Sequence, residues 1–191
     1  MFFLWIIPFL GWSQLSDDCV EQAFLSLESS GSYFSSNIDE SDNIRNGPSY
    51  DGATIFYPNN SNGSLGSIVL VPGFMNQELT LLNWGPYLSS HGFVVMTIGT
   101  NSLTQNPSQR KDALLDAIIT LKAENNRIAS PLYNQLDTNR IGVGGFSMGG
   151  GGAQLAVASD PSIKAVVALY PFLSNADQQM LNHNCPLLIV S

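Results

Sequence analysis

Basic side chains are scarce in this sequence. Seven lysines and arginines stand against fifteen aspartates and glutamates, and with both histidines neutral the net charge is −8. So few cations, scattered along the chain, cannot neutralise a phosphate backbone, which argues against a nucleic-acid partner. Anionic membranes would repel the molecule as well. Cysteine is nearly absent: Cys19 and Cys185 suit one disulfide in an oxidising compartment but are too few to define a framework. The N-terminal apolar run, residues 2–10, falls short of the ~20 residues that span a bilayer. Only 12% of residues are charged and 44% are apolar, a balance that fits a compact globular protein and argues against disorder. At 191 residues the chain buries a core without metal or disulfide support, and no metal or cofactor is expected.

Residues 1–13 read as a signal peptide, so a secreted, extracellular protein is expected. Gly11 and Ser13 occupy the small-residue positions that cleavage before Gln14 requires, although a positively charged leading region is missing. A buried N-terminal helix is the alternative, and the polar stretch Gln14-Leu15-Ser16-Asp17-Asp18 weighs against it. Residues 14–191 then form a single domain. Asn59-Asn60-Ser61 and Asn62-Gly63-Ser64 have the form of glycosylation acceptors.

The organising stretch is Gly145-Phe146-Ser147-Met148-Gly149, the G-x-S-x-G pattern, between an apolar run at residues 141–146 and a segment of small residues. A strand that passes at once into a helix leaves the linking residue on a strained turn, projecting from the sheet edge. Ser147 is thereby presented as a nucleophile. The four glycines 149–152 each cost a helix interior roughly 1 kcal/mol relative to alanine. Close approach of helix to sheet would account for them.

The rest of the chain supplies a parallel sheet. Residues 67–71, 92–98, 141–146, 163–169 and 186–191 are apolar, largely β-branched runs of the kind buried on both faces. Residues 33–38 and 53–57 read as an antiparallel pair at a sheet edge, and residues 19–27 as a short helix. A helix begins near Pro86. Over residues 109–122, Ala113, Leu114, Ala117, Ile118 and Leu121 recur at helical spacing with charges on the other side, which predicts a crossover helix. Strands alternating with helices imply an α/β fold, a mostly parallel central sheet flanked by helices.

A serine esterase needs a base and a carboxylate, which in this fold follow the nucleophile in the order Ser, Asp/Glu, His. After Ser147 only Asp160, Asp177 and His183 are candidates. His183 precedes a strand and so belongs at the edge opposite the elbow, roughly 15 to 20 Å from Ser147 at 3.3 Å per residue. His91 has the same difficulty. Asp160 reads as a helix terminus and Asp177 as a loop or cap residue. Two backbone N–H donors for an oxyanion are nevertheless expected, from Met148 after the nucleophile and from Phe74 after the first parallel strand.

Further motifs narrow the reading. Val71-Pro72-Gly73-Phe74, Trp84-Gly85-Pro86, Ser90-His91-Gly92-Phe93-Val94-Val95, Thr97-Ile98-Gly99-Thr100-Asn101, the Gly145–Gly152 elbow and Asp160-Pro161-Ser162-Ile163-Lys164-Ala165 run in order. Together they resemble the bacterial polyester hydrolases, cutinase-like α/β-hydrolases of the dienelactone-hydrolase group that include poly(ethylene terephthalate) hydrolases. The resemblance implies a secreted serine carboxylic-ester hydrolase that works through an acyl-enzyme on Ser147. Phe74, Met148 and Phe172 would line a shallow groove for an ester or polyester substrate, aromatic ones included. Phe172 stands where the family usually has tryptophan, Phe74 where it commonly has tyrosine, and Gly99 where an acidic residue is usual. The resemblance also puts the triad Asp and His, further strands and helices, and the C-terminal disulfides beyond residue 191. On that expectation residues 1–191 alone hydrolyse esters very slowly or not at all, and the complete protein is a monomer. The alternatives are a lipase or small-ester esterase without polymer activity, and a catalytically dead domain of the same fold used for binding.

Overall fold

A computed structural model describes residues 29–191. The signal peptide expected at residues 1–13, the helix expected at residues 19–27 and Cys19 lie outside them. Residues Gly31–Ser191 form one compact unit. Its centre is a seven-stranded sheet in the order β1-β2-β4-β3-β5-β6-β7. The strands are β1 (Ser35–Asp39), β2 (Ala53–Pro58), β3 (Leu65–Val71), β4 (Val94–Ile98), β5 (Leu136–Phe146), β6 (Ala165–Leu169) and β7 (Leu187–Val190). The two pairings at the β1 end, β1 with β2 and β2 with β4, are antiparallel, and all others are parallel.

The helices are α1 (Trp84–Ser90), α2 (Pro107–Glu124), α3 (Met148–Ser159) and the single turn α4 (Asn175–Gln178). Strand alternation sorts the core into two layers. Ile55, Val69, Val71, Val94 and Met96 face one side, with Leu114, Ala117 and Leu121 of α2 and Ala153 and Ala156 of α3. Phe56, Leu70 and Val95 face the other, with Leu81 and with Leu88 of α1. Every residue of β4 is buried, as a strand covered on both faces requires.

From β3 the chain crosses to β4 on one side and then, through α2, to β5 on the other. Such a reversal opens a crevice beyond the carboxyl ends of the two strands it separates. The crevice here lies between the ends of β3 and β5, so Pro72-Gly73 and Ser147 meet in it.

Two expectations need correction. Residues 186–191 read as a buried strand, yet β7 is exposed along its length, from 39% at Val190 to 58% at Leu188. Among the described residues it pairs with β6 alone, and an apolar run by itself says nothing about whether a neighbour covers it. The second concerns the charges of α2. Asparagine caps this helix: Asn106 accepts from Gln109 N–H while Gln109 reaches back to Asn106 N–H, and Pro107 takes the first turn. Its charged residues do not all face water, for Arg110, Asp116 and Glu124 are buried.

Asp116 accepts from Arg45 Nη2 at 2.6 Å and from Ser49 N–H at 2.8 Å. Arg45 also donates to Thr120 Oγ1, which lies 2.7 Å from the Tyr50 hydroxyl. The network anchors the loop between β1 and β2 to α2, and burial pushes the Tyr50 phenol upward, keeping it a donor. Asp116→Asn leaves the packing but replaces a charge-assisted pair with a neutral contact that must point an NH₂ at a donor. A loss of about 2 kcal/mol is expected, roughly 4–8 °C of melting temperature for a chain this size, to be checked by a thermal melt.

Candidate active site

Ser147 lies between β5 and α3 at φ 53° and ψ −119°. A non-glycine residue held there costs on the order of 1–3 kcal/mol and persists only where its surroundings over-determine it. They do so here through three backbone hydrogen bonds. Ser147 N–H donates to Leu169 O at 2.8 Å, and Ser147 O accepts from Gly151 N–H at 3.1 Å and from Phe172 N–H at 2.9 Å. The side chain is half-buried, and Oγ has no hydrogen-bond partner among the described residues.

The flanking glycines let three backbones close around it. A Cβ on Gly145 would sit 2.4 Å from the Gly149 carbonyl carbon, and one on Gly149 would sit 2.3 Å from Val71 O and 2.5 Å from Pro72 O. α3 can therefore start directly against the end of β3. A Cβ on Gly73 would come within 3.1 Å of Ser147 Cβ, which sets the loop after β3 immediately beside the elbow.

That loop is a tight turn. Asn76 N–H bonds back to Gly73 O at 3.2 Å, Met75 takes φ 58°, and Met75 N–H donates to Leu103 O at 2.8 Å. Phe74 N–H, between these anchors, has no partner among the described residues. Met148 is the first residue of α3, so its N–H is one of the four a helix leaves outside its own ladder. Both expected oxyanion donors are thus uncommitted and adjacent to Ser147.

Exposed aromatic residues stand on the segments that meet at the serine. Phe74 is 47% exposed and Phe172 50%, while Phe146 meets Tyr170 edge-on at a ring separation of 6.3 Å. Phe146, Tyr170, Trp84, Leu81 and Val190 line an apolar concavity of about 470 Å³. Phe146 and Tyr170 were not singled out from the sequence. The x position of G-x-S-x-G was the available signal for Phe146; nothing local marks Tyr170.

The other titratable residues lie elsewhere. His91 caps the C-terminus of α1 ahead of β4, with its ring against Tyr87 at 4.9 Å. His183 precedes β7 and lines a cavity of about 490 Å³ with Ile163, Lys164 and Cys185, at the amino end of β6. Asp160 is the C-cap of α3, and Asp177 closes a capping box with Ser174. None of these is brought to Ser147. Cys185 carries a free thiol, which burial pushes above its ordinary value. No group of His, Cys, Asp and Glu able to hold a metal occurs among the described residues.

A mostly parallel sheet flanked by helices, with a strained serine between strand and helix at the switch point, defines the α/β-hydrolase fold. The chain belongs to the PET hydrolase-like family, PETase, whose match covers residues 18–191. Bis(hydroxyethyl) terephthalate hydrolase of Streptomyces coelicolor is 38% identical over 142 residues, 74% of this chain and 44% of that protein. Lipase 1 of Moraxella sp. is 38% identical over 125 residues, 64% of this chain and 38% of that protein. Cutinase 1 of Thermobifida cellulosilytica is 33% identical over 141 residues, 74% of this chain and 52% of that protein. The chain thus spans about half or less of the length of these curated relatives.

Proposed function

We propose that this protein is a secreted serine carboxylic-ester hydrolase of the polyesterase type, with Ser147 as nucleophile. Ser147 Oγ attacks the ester carbonyl, the alcohol leaves, and water releases the acid from the acyl-enzyme. Phe74 N–H and Met148 N–H hold the tetrahedral oxyanion. The observation that carries the reading is the strained Ser147 backbone between β5 and α3, with the loop after β3 set beside it at Gly73 and the Phe74 N–H without a partner among the described residues. Neither His91 nor His183 reaches this edge, so the triad acid and base are supplied in this reading from beyond residue 191. Phe74, Met148 and Phe172 form the substrate surface, and its open, aromatic character suits a chain-like ester better than a small ligand that needs enclosure.

A panel of p-nitrophenyl butyrate, a long-chain triglyceride, bis(hydroxyethyl) terephthalate and poly(ethylene terephthalate) film tests it in the full-length protein. Turnover of the soluble esters and release of terephthalate from film is the expected result. Hydrolysis of triglyceride and butyrate with neither terephthalate substrate touched would move the protein to the lipase reading, which the Moraxella relative's name favours. No serine-dependent hydrolysis of any of the four would refute the enzyme altogether.

A further inference from the structure

Arg110 is the largest fully buried side chain of the described residues, 0% exposed, and it belongs to none of their ion pairs. Burial pushes its pKa down from the ordinary arginine value, because water is lost and no carboxylate replaces it. A cation in such a place opposes folding unless its N–H groups are satisfied. Three backbone carbonyls take up three of its five, one from each nitrogen. Nη1 donates to Pro72 O at 2.7 Å, Nε to Gln105 O at 3.0 Å and Nη2 to Leu103 O at 3.1 Å. The planar fork thereby joins the loop after β3 to the loop before α2.

What the fork holds matters more than its own burial. Pro72 precedes Gly73-Phe74 directly, and Leu103 O accepts both from Arg110 and from Met75 N–H. The chain is therefore tied to residues 103–105 on each side of Phe74, through Arg110 at Pro72 and directly at Met75. The same arginine touches the other half of the site. A Cβ on Gly152 of α3 would meet Arg110 Cβ at 2.8 Å, so α3, which begins with Met148, rests on the stem of this side chain.

Resting on the reading of Ser147 as nucleophile, we infer that Arg110 is a positioning residue of the oxyanion hole, clamping the loop after β3 so that Phe74 N–H faces the carbonyl under attack at Ser147. Lysine cannot substitute for it: a single ammonium cannot reach three carbonyls that a planar guanidinium spans. Methionine fills the volume and ties nothing.

The test compares R110K and R110M in the full-length protein with p-nitrophenyl butyrate, and follows labelling of Ser147 by a fluorophosphonate probe. An amide displaced by about an ångström costs on the order of a hundredfold in rate. Kcat is expected to fall about tenfold to a hundredfold in both variants, with KM within about threefold and the labelling rate falling in parallel. R110K should recover more of the melting temperature than of kcat. Asp116→Asn, which loosens the fold away from the site, serves as the control: at a comparable loss of melting temperature it should hold kcat within about twofold. Kcat within twofold of the parent in R110K or R110M, a rise in KM alone, or an equal fall of kcat in the control overturns the inference. If R110M does not fold, R110K decides on the same criteria. If R110K does not fold either, Arg110 belongs to the fold and not to the hole, and the inference is lost. Ser147→Ala separates the two levels: its retaining activity defeats the site itself, whereas an inactive Ser147→Ala beside fully active Arg110 variants defeats only the role of Arg110.

Discussion

Ser147→Ala is expected to lower kcat for soluble esters by about 10⁵- to 10⁶-fold in the full-length protein, and to abolish labelling by fluorophosphonates. The size of the effect follows from the chemistry. Without Oγ there is no acyl-enzyme, and the oxyanion donors can assist only water, leaving the residual catalysis that binding and electrostatics give alone. KM for a short ester should change little, since Oγ makes no hydrogen bond among the described residues and the groove is aromatic. Stability should move by less than about 0.5 kcal/mol, because alanine keeps the Cβ and inherits the same φ of 53°. A melting curve unchanged beside a lost activity is the combination to look for. Retention of more than about 1% of the parental kcat would remove Ser147 from the chemistry.

The elbow could be read from the sequence because its constraints are local: a strand, one residue and a helix, with glycine wherever a Cβ would strike backbone. Ser147 and Gly149 announce the turn before any neighbour is known. The same holds for β4, where five residues in a row suit a strand covered twice. What escaped was whatever depends on a partner distant in sequence. Tyr170 and Phe146 meet only because β5 and β6 pair in parallel, Phe146 opposite Leu169. β5 begins at Leu136, well before residue 141, because Leu136 finds Leu65 across a register shift that polar Asp137-Thr138-Asn139 gave no reason to suspect. Arg110 is different, for its signal was present and misassigned. Residues 110, 113, 114, 117 and 121 recur at helical spacing, so Arg110 sits on the apolar stripe and not opposite it. A cation on a buried stripe is the pattern to pursue, since burial forces it to find acceptors. Here one of those acceptors, Pro72 O, belongs to the loop that carries Phe74, and the other two belong to the loop before α2.

Gly149→Ala is expected to destabilise the protein by about 3 kcal/mol or more, roughly 6–12 °C of melting temperature, where the same change in an open helix would stabilise it by nearly 1 kcal/mol. The reversal of sign comes from position. The new Cβ would lie 2.3 Å from Val71 O and 2.5 Å from Pro72 O, and neither oxygen can retreat. Val71 is the last paired residue of β3, opposite Gly145, and Pro72 O is gripped by Arg110. Relief must therefore come from α3, by a shift that carries Met148 N–H away from Ser147 and spreads the two halves of the oxyanion hole. Kcat should fall about a hundredfold in whatever fraction remains folded. Gly66→Ala is the matched control, since its Cβ would meet nothing nearer than Arg140 O at 3.5 Å and should alter stability by less than about 0.5 kcal/mol. Equal melting temperatures for the two variants would mean that α3 is not pressed against the end of β3. The close approach would then be no part of how Ser147 is held.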